Sequence, residues 1–193
     1  MFSGIIKSTG KIKKIKKNKK NIELQILSKL KLKKKDIGSS ICCSGACLTV
    51  DKIKGKTIFF YISIETINRT NFKYIKSGNI INLEQSLKFG QRNSGHFVQG
   101  HVDANCEIKK ITTLGKSWII SVNLPKKYKK YVIEKGSVAI NGVSLTVSKI
   151  LKDSFEIVVI PRSLKETNLI YLKKKDFVNV EFDVLGKYIR NFL

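Results

Sequence analysis

The sequence predicts an all-β protein: two internally repeated, closed antiparallel barrels of about six short strands each, with a short α-helix at the C-terminal end. Three observations carry this. The stretch Ser40-Ile-Cys-Cys-Ser-Gly-Ala-Cys-Leu-Thr-Val50 returns 97 positions later as Ser137-Val-Ala-Ile-Asn-Gly-Val-Ser-Leu-Thr-Val147 with its apolar alternation kept, which marks an internal repeat. Turn residues part short runs of β-branched and aromatic residues, without the long helical patterns that join parallel strands. The last ten residues match nothing in the first half.

The repeat covers nearly the whole of each half. Thr66…Thr70-Asn71 maps onto Ser163…Thr167-Asn168, and Asn82-Leu83-Glu84 onto Asn179-Val180-Glu181. Upstream the shift is 96, with Gly4 matching Gly100 and Lys13-Lys14-Ile15 matching Lys109-Lys110-Ile111. The expected units are therefore residues 1–93, residues 94–183 and a terminal helix over 184–193.

Within the first unit, Ile5 to Ile15 reads as a strand, Lys16 to Asn21 as a turn and Ile22 to Leu27 as the returning strand. Ser40 to Cys43 follows a basic connection and leads into Ser44-Gly45, whose counterpart Asn141-Gly142 is a strong hairpin signal because both residues tolerate positive φ, with a tight bend as the alternative. Beyond the turn, Leu48 and Val50 share the face expected to be core, as do Leu145 and Val147. The opposite face presents Cys47 with Thr49 in one copy and Ser144 with Thr146 in the other. Thr57 to Ile64 and Phe155 to Ile160 are the next strands, and a short helix follows each. Thr66 is the expected start of one, while Ser163 and Glu166 have the spacing of a capping box in the other, with Pro161 ending the strand before it. Pro125 opens a helical turn over Lys126 to Ile133, and Ile80 to Ser86 and Phe177 to Phe182 close the two units. At the end, Asp183 caps a helix from Val184 to Leu193 whose Leu185, Tyr188, Ile189 and Phe192 form an apolar stripe. A helix this short needs a partner surface, and another subunit is the expected one.

The 193 residues are 42% hydrophobic, enough to bury two cores. No apolar run approaches the ~20 residues of a membrane span, and the first residues lack the pattern of a signal peptide, so a cytoplasmic protein is expected. Four cysteines in that compartment are expected to be thiols, and Cys42 and Cys43, adjacent on a strand, point to opposite faces. His96, His101 and the scattered cysteines lack metal-site spacing, so no metal is expected. The net charge of +24 comes from lysines that alternate with Ile, Leu and Asn throughout, and no aromatic-rich binding motif interleaves with the basic runs. That pattern suits solvated faces rather than a nucleic-acid groove, and no nucleic-acid partner is expected.

Met1-Phe2-Ser3-Gly4-Ile5, the two G-x-x-L-T-V segments, Gly95-His-Phe-Val-Gln-Gly-His-Val-Asp103 and Ile160-Pro-Arg-Ser-Leu…Thr-Asn-Leu169 together resemble the riboflavin synthase family over essentially the whole chain. The resemblance implies two six-stranded Greek-key barrels, a terminal helix and a homotrimer with half-sites meeting between subunits. It implies dismutation of two molecules of 6,7-dimethyl-8-ribityllumazine, giving riboflavin and 5-amino-6-ribitylaminouracil by four-carbon transfer, with no cofactor. A non-catalytic lumazine or flavin carrier of the same fold is the alternative.

Carried onto this chain, the resemblance gives a first half-site of Gly4, Ile5, Ile6, Cys47, Leu48, Thr49, Tyr61, Ile62, Ser63, Ile64, Glu65 and Thr66. The second comprises Gly100, His101, Val102, Lys135, Ser144, Leu145, Thr146, Val158, Val159, Ile160, Pro161, Arg162 and Ser163. The chemistry needs a base for a C7 methyl proton and a nucleophile or water at C7. Cys47 and His101 are the candidates, supported by Ser144 and Thr146, while His96 is left structural. Three departures stand out: Ser44 where the family usually has Asn, Cys42-Cys43 in place of a more ordinary apolar pair, and Ser94 where Gly is common.

Overall fold

The computed structural model describes residues 1–18 and 21–192. Its first barrel contains β1 (Ser8–Lys17), β2 (Asn21–Ser28), β3 (Ser40–Cys43), β4 (Ala46–Lys54), β5 (Thr57–Ser63) and β6 (Ile80–Gln85), closed in the order β1-β2-β5-β4-β3-β6. The second contains β7 (Ala104–Leu114), β8 (Ser117–Asn123), β9 (Ser137–Ile140), β10 (Val143–Ile150), β11 (Ser154–Val159) and β12 (Phe177–Phe182), closed around the same circuit. All pairings are antiparallel, and β2 lies beside β5 rather than β3, the Greek-key crossing. Even the irregularities repeat: ladder shifts follow Ile12 in β1 and Ile108 in β7, and Val50 in β4 and Val147 in β10. Such bulges add the local twist a small barrel needs to close.

Each barrel has its own core. Leu24, Ile26, Ile41, Phe60, Ile62, Phe72 and Leu83 fill the first. Ile108, Ile120, Val122, Phe155, Ile157, Val180 and Phe182 fill the second. Full burial of one such side chain contributes about 1.5–3 kcal/mol, so each core, rather than its turns, holds its barrel closed.

The first strand begins later than the alternation suggests, at Ser8, because the residues before it are committed elsewhere. Phe2, fully buried, bridges antiparallel to Val98 between the barrels, and with Cys42 and Ala139 they make a small apolar seam. Helix α1 (Ile64–Arg69) starts at Ile64 rather than Thr66, since the Ser63 hydroxyl accepts from the Thr66 amide and is the cap. Helix α2 (Pro161–Glu166) starts at Pro161, which has no N–H to satisfy, so Ser163 lies inside the first turn and makes no capping box. Lys126–Tyr131 winds as a 3-10 helix. Of the turn expected from Lys16 to Asn21, residues 19 and 20 lie outside the described residues.

The terminal helix α3 (Val184–Phe192) is present, and the Asp183 carboxylate accepts from the Leu185 amide at its start. Lys187 ties it to Asp103 at 2.6 Å. Leu185, Tyr188, Ile189 and Phe192 are all exposed on the single chain. No described helix is long and apolar enough to cross a membrane.

Candidate active site

The segments before β1 and before β7 each lie against the other barrel. The Ser144 amide donates to the Gly4 carbonyl at 2.8 Å, and the Cys47 amide to the Gly100 carbonyl at the same distance. Both glycines have positive φ, and a Cβ on either would come within 2.6 Å of Ser144 Cβ or 2.7 Å of Cys47 Cβ. Only glycine meets both demands, the backbone angle and the close approach. A buried carboxylate pins each crossing. Glu84, on β6, accepts from the amides of Ser3 and Gly4 and from the Ser3 hydroxyl, and Glu181, on β12, from the amides of Gln99, Gly100 and His101. Burial raises both carboxyls, Glu181 to about 7, against the pull of these amides and, for Glu181, of Lys187.

This corrects the grouping expected from sequence. Gly4, Ile5 and Ile6 belong with Ser144 on the second barrel, while Gly100, His101 and Val102 belong with Cys47 on the first. The cavity at Cys47, about 360 Å³, is lined by Ala46, Cys47, Glu65, Thr66, Arg69, Thr70, Gly100, His101, Val102 and Asp103. That at Ser144, about 160 Å³, is lined by Gly4, Ile5, Ile6, Val143, Ser144, Ile160, Arg162, Ser163, Glu166 and Thr167. With the repeat shift applied the two linings correspond nearly position for position, so the chain carries two related pockets of unlike chemistry.

The differences between them are chemical. Cys47 in one stands where Ser144 stands in the other, and His101 stands where the second pocket has Ile5. On the flanking helices the ion pair Glu65/Arg69 is answered by Arg162/Glu166 with the charges in reverse order. The second pocket obtains its imidazole by another route: His96 Nδ1 lies 2.7 Å from Ser144 Oγ. Burial lowers the basicity of His96, opposed by the charge of Asp183, and its Nε2 is buried with no partner in the structure. A neutral imidazole in contact with a serine hydroxyl can accept its proton. His96, read from sequence as structural, is thus in direct contact with a pocket-lining hydroxyl.

Other expected residues divide by face. Leu48, Ile62 and Val159 point into the barrel cores, leaving only backbone for a ligand, and Leu145 packs partly against the second core. Tyr61, Ile64, Val158 and Ile160 are exposed apolar surface on β5, β11 and the helix starts that follow them. Ser63 is bound to Thr66 Oγ at 3.1 Å. Thr49 and Thr146 face outward, two residues beyond Cys47 and Ser144 and outside both cavity linings, and Pro161 opens α2. Lys135 is exposed with φ 67°, at the repeat equivalent of Gly38, and lines neither cavity in the single chain. Sequence reasoning missed Ala46, Val143, Arg69, Glu166, Thr70 and Thr167. The first two pairs and the threonines are repeat equivalents in the alignment, and that equivalence was the available signal.

Among the described residues no three His, Cys, Asp or Glu side chains converge as a metal site. A larger cavity of about 390 Å³ lies elsewhere, lined by Asn71, Asn141, Asn168, Tyr74 and Tyr171 among others, and it contains none of the expected site residues.

Two crossed pockets on tandem barrels define a class. The family model of the lumazine binding domain matches this chain twice, over residues 3–86 and 99–183, one match per barrel. The fold is similar to a crystal structure of LumP complexed with 6,7-dimethyl-8-(1'-D-ribityl) lumazine, at TM-score 0.82 and 28% identity, covering 94% of this chain and 99% of that one. Over its full length the chain is 39% identical to riboflavin synthase of Photobacterium phosphoreum, covering 89% of that protein. It is 38% identical to riboflavin synthase of Actinobacillus pleuropneumoniae, covering 90% of it. The chain belongs to the riboflavin synthase family.

Proposed function

We propose that this protein converts two molecules of 6,7-dimethyl-8-ribityllumazine into riboflavin and 5-amino-6-ribitylaminouracil, without metal or redox cofactor. The observation that carries the reading is the pair of corresponding but chemically unlike pockets: a reaction between two copies of one substrate, one donor and one acceptor, calls for two related sites that treat them differently. The pockets open on separate barrels, so the reaction needs them brought face to face. The exposed apolar stripe of α3 supports a homotrimer in which the first-barrel pocket of one subunit meets the second-barrel pocket of the next. Holding two flat rings in register can then supply several kcal/mol of the barrier through lost translational freedom.

In this scheme the rings lie against the glycine backbones at Gly4 and Gly100, flanked by Tyr61 and Ile64 or by Val158 and Ile160, with Thr66 and Ser163 toward the ribityl hydroxyls. Cys47 and His101 serve one substrate, as group adding to C7 and as proton acceptor. Ser144, backed by His96, serves the other as a proton-accepting pair, with Thr146 and Lys135 contributed once the subunits close. A protein of this class that only carries its ligand needs one working pocket, and here both are furnished.

Incubation with 6,7-dimethyl-8-ribityllumazine and no other reagent is the test. Growth of riboflavin absorbance and fluorescence is expected. Saturable binding with no riboflavin formed would leave the carrier reading instead.

A further inference from the structure

We infer that Cys42 and Cys47 form a reversible cross-strand disulfide when the protein meets a peroxide, closing the first-barrel pocket's thiol to chemistry. The two face each other directly in the β3–β4 ladder, five positions apart around the Ser44-Gly45 turn. The Cys47 amide is turned outward to the Gly100 carbonyl, and Cys42 pairs on its other side with Glu84 on β6, so the two cysteines make a non-hydrogen-bonded pair. In such pairs the Cα atoms approach to roughly 4.5 Å and the side chains share a face, which lies inside the roughly 4.4–6.8 Å window a disulfide spans. Both side chains belong to one apolar seam: Cys42, 1% exposed, sits in it with Phe2, Val98 and Ala139, and Cys47 packs against it. Cys43 points the opposite way, into the first-barrel core, and Cys106 is buried in the second.

The two thiols have different parts. Cys47 is half-buried and lines the cavity, so a small oxidant reaches it first. Cys42 is enclosed, and burial together with the Glu84 charge pushes its thiol up, so it does not compete for the oxidant. The Cys47 sulfur attacks one peroxide oxygen, an S–O bond forms as the O–O bond breaks, and water leaves. The Cys42 sulfur then attacks the sulfenyl sulfur, forming the S–S bond as the S–O bond breaks. The departing hydroxide takes the Cys42 proton and leaves as a second water. Two thiols are oxidised to one disulfide and one hydrogen peroxide is reduced to two waters. A dithiol reductant reverses it by exchange.

The link itself stands on the ladder geometry, whereas its effect on turnover rests on the role proposed for Cys47. Both are read in one experiment. The whole protein is treated with hydrogen peroxide, quenched and divided for thiol titration under denaturing conditions, mass mapping, a non-reducing gel and lumazine turnover. Two of the four thiols are expected to vanish, in a monomeric Cys42–Cys47 link, with turnover falling in proportion to the linked fraction and returning with a dithiol. Cys43→Ala should behave as the parent does. Cys42→Ala should keep its turnover before treatment and form no link. Retention of all four thiols, a link through Cys43, or a link only between chains would overturn the inference. If Cys42→Ala does not fold, the mapped link in the parent still decides. A link formed with turnover unchanged would uphold the disulfide and remove Cys47 from the reaction.

Discussion

Replacing Ser44 by Asn should stabilise this protein by about 1 kcal/mol, and the reason lies in a polar network that the repeat builds almost twice. Between the barrels, the Asn168 amide donates to Asn82 Oδ1 and the Asn71 amide to Asn179 Oδ1, at 2.6 and 2.7 Å. Asn82 Nδ2 reaches the Asn141 carbonyl and Asn179 Nδ2 the Ser44 carbonyl, at 2.9 and 2.8 Å. The symmetry fails at two places, for Asn82 Nδ2 also donates to Asn168 Oδ1 at 2.9 Å while Asn179 Nδ2 makes no matching bond to Asn71. Asn141 accepts from the Asn179 amide and donates through Nδ2 to Asn168 Oδ1, but its equivalent is Ser44, whose hydroxyl accepts from the Asn82 amide and stops short of Asn71. Asn71 Oδ1 is accordingly buried without a partner. A buried acceptor left unmade costs about 1–3 kcal/mol. Asn also tolerates the positive φ of 43° at this position better than Ser. Against this stands the loss of a 3.3 Å contact from Asn168 Nδ2 to Ser44 Oγ, whose donor keeps the Ile80 carbonyl. A net gain near 1 kcal/mol corresponds to roughly 2–4 °C in Tm for a chain of this size. Thermal unfolding of Ser44→Asn, with lumazine turnover unchanged, measures it. A Tm equal to or below the parent's would show that Asn71 is already satisfied and the reasoning wrong.

Cys47→Ala should slow single-turnover conversion by ~100-fold or more with analogue binding intact, beyond the roughly tenfold that one lost contact explains. Ser144→Ala should be milder, and a Cys47→Ala rate within a few-fold of the parent would make the thiol mere packing. Deleting residues 184–193 should leave native-like β circular dichroism but give monomers in sedimentation and little turnover; a deletion that stays trimeric would free the helix of that role. Stability should carry opposed pH dependences. The Glu181 carboxyl is raised from 4.5 to about 7, so it binds its proton more tightly when folded, and its contribution is present below about pH 4.5 and lost as pH rises through about 7. His96 is lowered from 6.5, so its contribution is present above that value and lost as pH falls through the depressed one. Urea midpoints across this range should therefore lose their neutral-side decline in Glu181→Gln, and an unchanged profile would count against a proton held there.

Much of the fold was legible because barrel strands write themselves locally. The alternation at Cys47 to Val50 and Ser144 to Val147, the Ser44-Gly45 and Asn141-Gly142 turns and the Phe177–Phe182 strand all appear where the pattern puts them. Helix starts were less legible. Thr66 and Ser163 look like caps by residue type, yet Ser63 and Pro161 open the helices, because the choice depends on where the preceding strand leaves its neighbour. The site was legible as a set of residues but not as two groups. Nothing within Gly4 to Ile6 says which barrel they will touch, since the deciding contacts, Phe2 with Val98 and Ser144 with Gly4, span a full repeat or more. His96 was passed over for the same reason: its partner is Ser144, distant in sequence and not its repeat equivalent.

The central claim, that both pockets act in one reaction, is tested most directly by occluding them one at a time. Gly100→Ala places a methyl against Cys47, and Gly4→Ala places one against Ser144; each adds to a strained positive φ, costing roughly 1–2 kcal/mol, an overlap with strand backbone at 2.9 or 2.8 Å, so native-like circular dichroism of each variant is checked first. The measurement is riboflavin formation beside equilibrium binding of a lumazine analogue to each folded variant. Each should still bind the analogue at its open pocket while forming essentially no riboflavin. Turnover within a few-fold of the parent in either variant would contradict the two-pocket account.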